Sequence, residues 1–151
     1  MKKIDNKKFE EFVKVSSKKG DEVFVGTTTG GLECLLITKK IEHSINAYIE
    51  VENKIVNVGS LVFGFENEDF NSIYLSSIAV LQEYHNQGIG KLMMNYFIEN
   101  AKDYNFANIK VDSFKKLAGF FEQFGFEKSK QTSRVIVPMQ KSLTKKVEKS
   151  L

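Results

Sequence analysis

Apolar positions along this chain follow two rhythms, one of about 3.6 residues and one of two, and the switches between them outline its elements. Phe9, Phe12, Val13 and Val15 recur at near-helical spacing behind Asp5 and Asn6, two residues suited to capping, so a first amphipathic helix is expected over residues 6–19, ending near Gly20. From Glu22 to Val80 the rhythm shortens to β-rich runs separated by Gly, Asn and Asp: Glu22–Thr28, Leu32–Lys39, Ile45–Glu52, Ile55–Phe65 and Ser72–Val80. These read as antiparallel strands. Gly88 then opens a helical pattern in which Ile89, Leu92, Met93, Tyr96, Phe97 and Ala101 line one side, to about Tyr104. The run Asn108–Asp112 follows at the distance of a crossover, which favours a parallel strand pair. A short helix is expected over Phe114–Phe124, stopped by Gly125, and a last strand over Ser133–Gln140 with Pro138 near its end, as an edge position permits. The expected class is α+β: a mixed, mainly antiparallel sheet flanked by helices, with one βαβ crossover.

Length and charge narrow the partners. At 151 residues, 42% of them apolar, the chain is sized for one domain with a substantial core, expected over residues 1–141 with a polar basic tail at 142–151. The formal charge of +3 comes from the ends: residues 1–20 hold seven lysines against three acids, residues 140–151 four against one, while residues 21–139 hold eleven bases against fifteen acids. Nucleic-acid binders concentrate Lys and Arg on a folded face, so no nucleic-acid partner is expected. Cys34 is the only cysteine and sits in an apolar run, which excludes an internal disulfide and a cysteine-built zinc site; it reads as a buried small residue, and no metal is expected. Neither a signal-peptide core nor a membrane-length apolar window occurs, so the expectation is a cytoplasmic protein without a membrane partner.

The stretch Ile78-Ala79-Val80-Leu81-Gln82-Glu83-Tyr84-His85-Asn86-Gln87-Gly88-Ile89-Gly90-Lys91 leads from a strand into a helix. The first turn of a helix leaves N–H groups without intrahelical partners, and the helix dipole adds partial positive charge, so an anion is favoured there. Gly88 and Gly90 lack a Cβ, which lets the main chain approach phosphate oxygens closely. A dinucleotide fingerprint would need three glycines in G-x-G-x-x-G near the start of the domain, and a Walker loop would need Ser or Thr where Leu92 stands. Neither fits.

His85, Gly88 and Gly90 after Ile78-Ala79-Val80 correspond to the acetyl-CoA motif Arg/Gln-x-x-Gly-x-Gly/Ala of the GCN5-related N-acetyltransferase (GNAT) family, which the chain resembles over roughly residues 22–140. A second segment, Ala118-Gly119-Phe120-Phe121-Glu122-Gln123-Phe124-Gly125-Phe126, is similar to that family's Ala-x-x-Phe-Tyr-Glu-x-x-Gly-Phe signature. The resemblance implies the acyl-CoA N-acyltransferase fold and acetyl-CoA as co-substrate. It implies that main-chain amides of His85, Asn86, Gln87, Gly88, Ile89, Gly90 and Lys91 hold the pyrophosphate. It also implies that Ile78, Ala79 and Val80 pair with the pantetheine arm like an added strand, and that Phe121 touches the cofactor. Relatives commonly form homodimers.

The chain departs from the family at three places. His85 replaces Arg or Gln, Lys115 stands where many members have Asn, and Phe121 occupies the place of a tyrosine that protonates the leaving thiolate, which a phenyl ring cannot do. Another group then supplies the proton, or CoA leaves as the thiolate, or catalysis is impaired. A base is no easier to name: Ile73-Tyr74-Leu75-Ser76-Ser77 holds no carboxylate, leaving Tyr74, Ser76 and Ser77 as candidate proton relays, with Glu50, Glu52 and Glu66 on earlier strands as further possibilities. His43 reads as a surface residue, and Phe114, Phe120, Phe124 and Phe126 mostly as core. Three readings compete: acetyl transfer to a primary amine of a small molecule or protein by direct attack, a CoA-binding module or sensor with little catalysis, and a structural domain in which the glycine turn is merely a turn.

Overall fold

The computed structural model describes residues 4–66, 68–129 and 135–143. It holds helices α1 (Lys7–Ser16), α2 (Ile89–Asp103) and α3 (Ala118–Glu122), with strands β1 (Glu22–Thr27), β2 (Glu33–Lys39), β3 (Ser44–Val51), β4 (Lys54–Glu66), β5 (Asp69–Val80), β6 (Asn108–Phe114), β7 (Glu127–Lys128) and β8 (Ile136–Ser142). The strands form one mixed sheet in the order β1-β2-β3-β4-β5-β6-β8-β7. The ladders of β1 to β4 and of β6 to β8 are antiparallel, whereas β5 and β6, joined through α2, run parallel. This is the expected α+β class with its single βαβ crossover.

Contacts divide the chain into two compact units, residues 1–62 with 77–94 and residues 63–76 with 95–151. In the first, Asn6 caps α1: its Oδ1 accepts from the N–H groups of Lys8 (2.8 Å) and Phe9 (3.1 Å). The helix ends at Ser16, three residues before the expected end, because the Ser16 and Ser17 hydroxyls bond back to the carbonyls of Phe12 and Val13 while Ser17 turns extended. Phe9 is fully buried against Leu35 and Ile37, with Phe12, Val13, Val23, Val25, Tyr48 and Ile55 around them. Successive strand residues point to opposite faces, so Phe24 and Gly26 face away from α1. There the start of α2 packs: a Cβ on Gly26 would stand 3.0 Å from Leu92, and one on Gly59 2.9 Å from Met93.

In the second unit the rest of α2 lays Phe97 on Phe63 (ring centroids 5.8 Å apart) and Phe65 stacks on Phe106 (5.7 Å). The buried face of α2 is broader than the expected stripe, for Met94 and Ile98 are buried along with Ile89, Met93, Phe97 and Ala101. Three expectations for this unit need correction. Phe114 does not open a helix: it is the last residue of β6, paired with Ile136, and is exposed, and α3 begins only at Ala118 after a 3-10 turn at Lys115–Leu117. The last strand runs to Ser142, beyond the expected Gln140, with buried Leu143 bonding Ala107 after it; residues 133 and 134 of the expected strand, and 144–151 of the expected tail, lie outside the described residues. Pro138 is not on an edge strand, because β8 lies between β6 and β7. The two-residue β7 ladder stops at Met139, and the Pro138 carbonyl accepts instead from the N–H (2.9 Å) and hydroxyl (3.0 Å) of Ser129.

Candidate functional site

β5 leaves the sheet at Val80, a 3-10 turn follows at Gln82–Tyr84, and α2 begins at Ile89. Between them Asn86 has φ +65° and Gly88 φ +88°, while Gln87 has an ordinary negative φ. Residues of alternating hand turn successive N–H groups toward one side and form an anion-binding concavity. The first hydrogen bond of the helix is Leu92 N–H to the Gly88 carbonyl (3.0 Å). Among the described residues, none accepts from the N–H groups of Asn86, Gln87, Gly88, Ile89, Gly90 or Lys91. Six consecutive free donors at a fifteen-residue helix's positive end fit a pyrophosphate.

The β1–β2 turn supports this loop. Gly30 N–H bonds the Gln87 carbonyl (3.2 Å), and a Cβ on Gly30 would lie 2.8 Å from that oxygen. The place where a Gly88 side chain would stand is filled by Thr29, whose backbone nitrogen would be 2.9 Å from a Cβ there. Sequence reasoning missed Thr29 and Gly30; the Thr-Thr-Gly-Gly run at 28–31 signalled only a turn.

The ring of His85 folds back on the strand it follows, with Nε2 2.6 Å from the Val80 carbonyl oxygen. A carbonyl only accepts, so Nε2 carries the hydrogen and donates, leaving Nδ1 as the free ring nitrogen. The residue pins the exit of β5. Its own neighbours on that strand are open along one edge: the β5–β6 ladder covers only Ser72–Leu75, opposite Asn108–Val111, so Ile78, Ala79 and Val80 lie beyond its end.

Of the proton-handling candidates on β5, Ser76 and Ser77 are exposed, while Tyr74 is half-buried and pairs in register with Lys110 of β6. The Lys110 Nζ lies 3.0 Å from Asp69 Oδ2 and 5.6 Å from the centre of the Tyr74 ring. The hydrogen bond to Asp69 raises the Lys110 pKa above its ordinary value, assisted by a further hydrogen bond to Tyr74, and the same bond from Lys110 lowers that of Asp69. Neither Lys110 nor Asp69 stood out in the sequence. Phe121 is buried, its ring 5.3 Å from that of Phe120 and 5.7 Å from that of Phe126. Phe126 is core too, Phe120 and Phe124 are half-buried, and Lys115 is exposed.

The glutamates are elsewhere. Glu50 and Glu52, with Glu33, Asn6, Asn53, Phe9, Leu32 and Ile49, line a cavity of about 400 Å³ at the start of α1, where Asn6 Nδ2 donates to Glu33 (2.8 Å) and Glu50 (3.3 Å); Glu66 is exposed at the end of β4. His43 is exposed in the β2–β3 turn. Cys34 is fully buried, and burial pushes its thiol up to about 11, which removes it as a nucleophile at neutral pH. No described helix is long and apolar enough to cross a membrane.

A family model described as an acetyltransferase (GNAT) domain matches residues 42–128. The fold is similar to that of Tetrahymena GCN5 (16% identity, TM-score 0.55, covering 68% of this chain and 69% of that one) and of Ard1 from Thermoplasma volcanium (15%, 0.56, 70% and 74%). It is also similar to Arabidopsis thaliana Naa50, solved with the bisubstrate analogue CoA-Ac-MVNAL (21%, 0.55, 67% and 73%). The comparison with curated proteins returns no match.

Proposed function

Since this chain belongs to the acetyltransferase (GNAT) family, we propose that it carries an acetyl group from acetyl-CoA to a primary amine by direct attack in a ternary complex. The observation that carries this reading is the row of six unpartnered N–H groups from Asn86 to Lys91, curled by the positive φ of Asn86 and Gly88 at the mouth of α2. Main-chain N–H groups at the positive end of a helix favour an anion without any basic side chain, which is compatible with His85 standing where relatives use Arg or Gln. Acetyl-CoA supplies the activated acetyl group as a thioester.

The chain's own residues do the rest. Ile78, Ala79 and Val80, past the end of the β6 ladder, offer strand-edge main-chain groups to the pantetheine arm. Tyr74, Ser76 and Ser77 are polar side chains on β5 able to pass protons. With Cys34 buried and neutral, no covalent acyl-enzyme is needed or supported. The acceptor is an amine presented neutral, on a small molecule or on a polypeptide, and the reaction is assigned to the cytoplasm and to a single domain over residues 1–141. The second reading, a CoA-binding module, draws on Phe121, which has no proton to give.

One experiment separates the two. Incubation with acetyl-CoA over a panel of small amines and peptide N-termini should release CoA thiol in step with an N-acetyl product. CoA binding without turnover on any amine would favour the module, and absence of binding would remove both.

A further inference from the structure

The loop that follows β5 is not alone at the mouth of α2. The β1–β2 turn belongs to the same compact unit and presses against it with no side chain between, at two places. A Cβ on Gly30 would meet the Gln87 carbonyl oxygen, and a Cβ on Gly88 would meet the Thr29 hydroxyl oxygen and, at 2.9 Å, the Thr29 nitrogen. The turn is closed by its own bonds. Thr28 N–H donates to the Leu32 carbonyl (2.8 Å), Leu32 N–H to the Thr28 hydroxyl oxygen (3.1 Å) and Gly31 N–H to the Thr28 carbonyl (2.9 Å), and Thr28 is buried. The residue at the tip, Thr29, therefore has a defined position against Gly88. Close packing accounts for its main chain but not for its hydroxyl. Among the described residues, none bonds the Thr29 hydroxyl and none accepts from its N–H. Two further donors thus stand beside Gly88, the third N–H in the row from Asn86 to Lys91. His85 offers less, because its Nε2 is already committed to the Val80 carbonyl.

We propose that Thr29 is a further ligand of the CoA diphosphate, its hydroxyl donating to a phosphate oxygen beside Gly88, so that two turns clasp the anion rather than one. The proposal rests on the reading of the Asn86–Lys91 loop as the diphosphate site. A hydrogen bond from a hydroxyl to an anionic oxygen is stronger than one between neutral groups, and the hydroxyl hydrogen rotates to meet its acceptor. The Gly30 N–H bond to the Gln87 carbonyl (3.2 Å) ties the turn to the loop, which keeps the two sets of donors in register. Thr29 then sets affinity for the phosphate end of the co-substrate and has no part in the chemistry at the thioester.

Calorimetric titration of CoA into the full chain reads the contact without any turnover. Thr29→Val keeps the branched shape and removes the hydroxyl; it should weaken CoA binding by about tenfold while the melting temperature of the free protein stays as in wild type. Thr29→Ser, which restores the hydroxyl, should recover the affinity to within about twofold. If the valine variant does not fold, Thr29→Ala carries the same expectation for binding. In ³¹P spectra of the saturated complexes, the diphosphate signals of bound CoA should differ between wild type and Thr29→Val, while the separate 3′-phosphate signal stays in place. Wild-type affinity without the hydroxyl, an equal loss in the serine variant, or unmoved diphosphate signals would each overturn the proposal, the second by assigning Thr29 to packing alone. If wild type binds no CoA, the reading of the loop falls and takes this proposal with it; if wild type binds CoA and the Thr29 variants match it, the proposal alone fails.

Discussion

Thr29 occupies the space that any side chain on Gly88 would need: an ideal Cβ there meets the Thr29 hydroxyl oxygen, and its backbone nitrogen at 2.9 Å. Gly88 also holds φ +88°, a conformation that L side chains rarely adopt. Gly88→Ala is therefore expected to cost about 1–3 kcal/mol of stability and, by pushing the loop off the turn, to weaken CoA binding by about tenfold or more. Gly20 provides the control, for it has φ +94° with nothing within 4 Å of a Cβ. Gly20→Ala should lower the melting temperature while leaving the CoA dissociation constant unchanged. Equal CoA affinity in both variants would detach Gly88 from the site.

Asn6 serves α1 as an acceptor and the cavity beside it as a donor, since Oδ1 caps Lys8 and Phe9 while Nδ2 reaches Glu33 and Glu50. Asn6→Ala should cost about 1 kcal/mol by denaturant titration. Asn6→Asp, ordinarily an equal cap, should recover only part of that at neutral pH, because it sets a third carboxylate against two. Full recovery would show that the Nδ2 contacts carry no weight.

Cys34 predicts a stability change at alkaline pH. Its folded pKa, raised by burial to about 11 from 9.0, lies above that of the exposed thiol in the unfolded chain. Below pH 9 both states keep the proton and nothing is lost; between 9 and 11 the unfolded state ionises first, so stability falls as pH rises. The loss attributable to this thiol is on the order of 2–3 kcal/mol. Cys34→Ala should show a correspondingly shallower decline over that window, and thiol reagents should label wild type only on unfolding. Rapid labelling of the folded protein at pH 7 would contradict the burial.

Much of this was legible in the sequence because it is written locally. The period-two runs gave β1 to β5 to within three residues at each end, and the 3.6 rhythm from Ile89 to Ala101 gave α2, since each pattern reflects which faces meet the core. The glycine pair at 88 and 90 marked the loop. Where aromatic residues crowd, from Phe114 to Phe126, spacing could not separate a strand end from a helix, and the pairing of Phe114 with Ile136 settled it at long range. Pro138 misled for a related reason: a proline excludes a ladder N–H, not an interior strand, when the neighbouring strand is two residues long. The ion pair of Lys110 with Asp69 spans 41 residues of sequence, and the Thr29 support of Gly88 joins two separate turns. Neither leaves a local trace.

If the main chain from Asn86 to Lys91 grips a diphosphate, amide spectroscopy reads those six groups one by one. Titrating CoA into ¹⁵N-labelled protein should shift the Asn86, Gln87, Gly88, Ile89, Gly90 and Lys91 resonances together along one saturating curve, with Gly30 following through its bond to Gln87. Saturation of CoA binding with these six signals unmoved, while amides elsewhere respond, would place the diphosphate at another site and contradict the account.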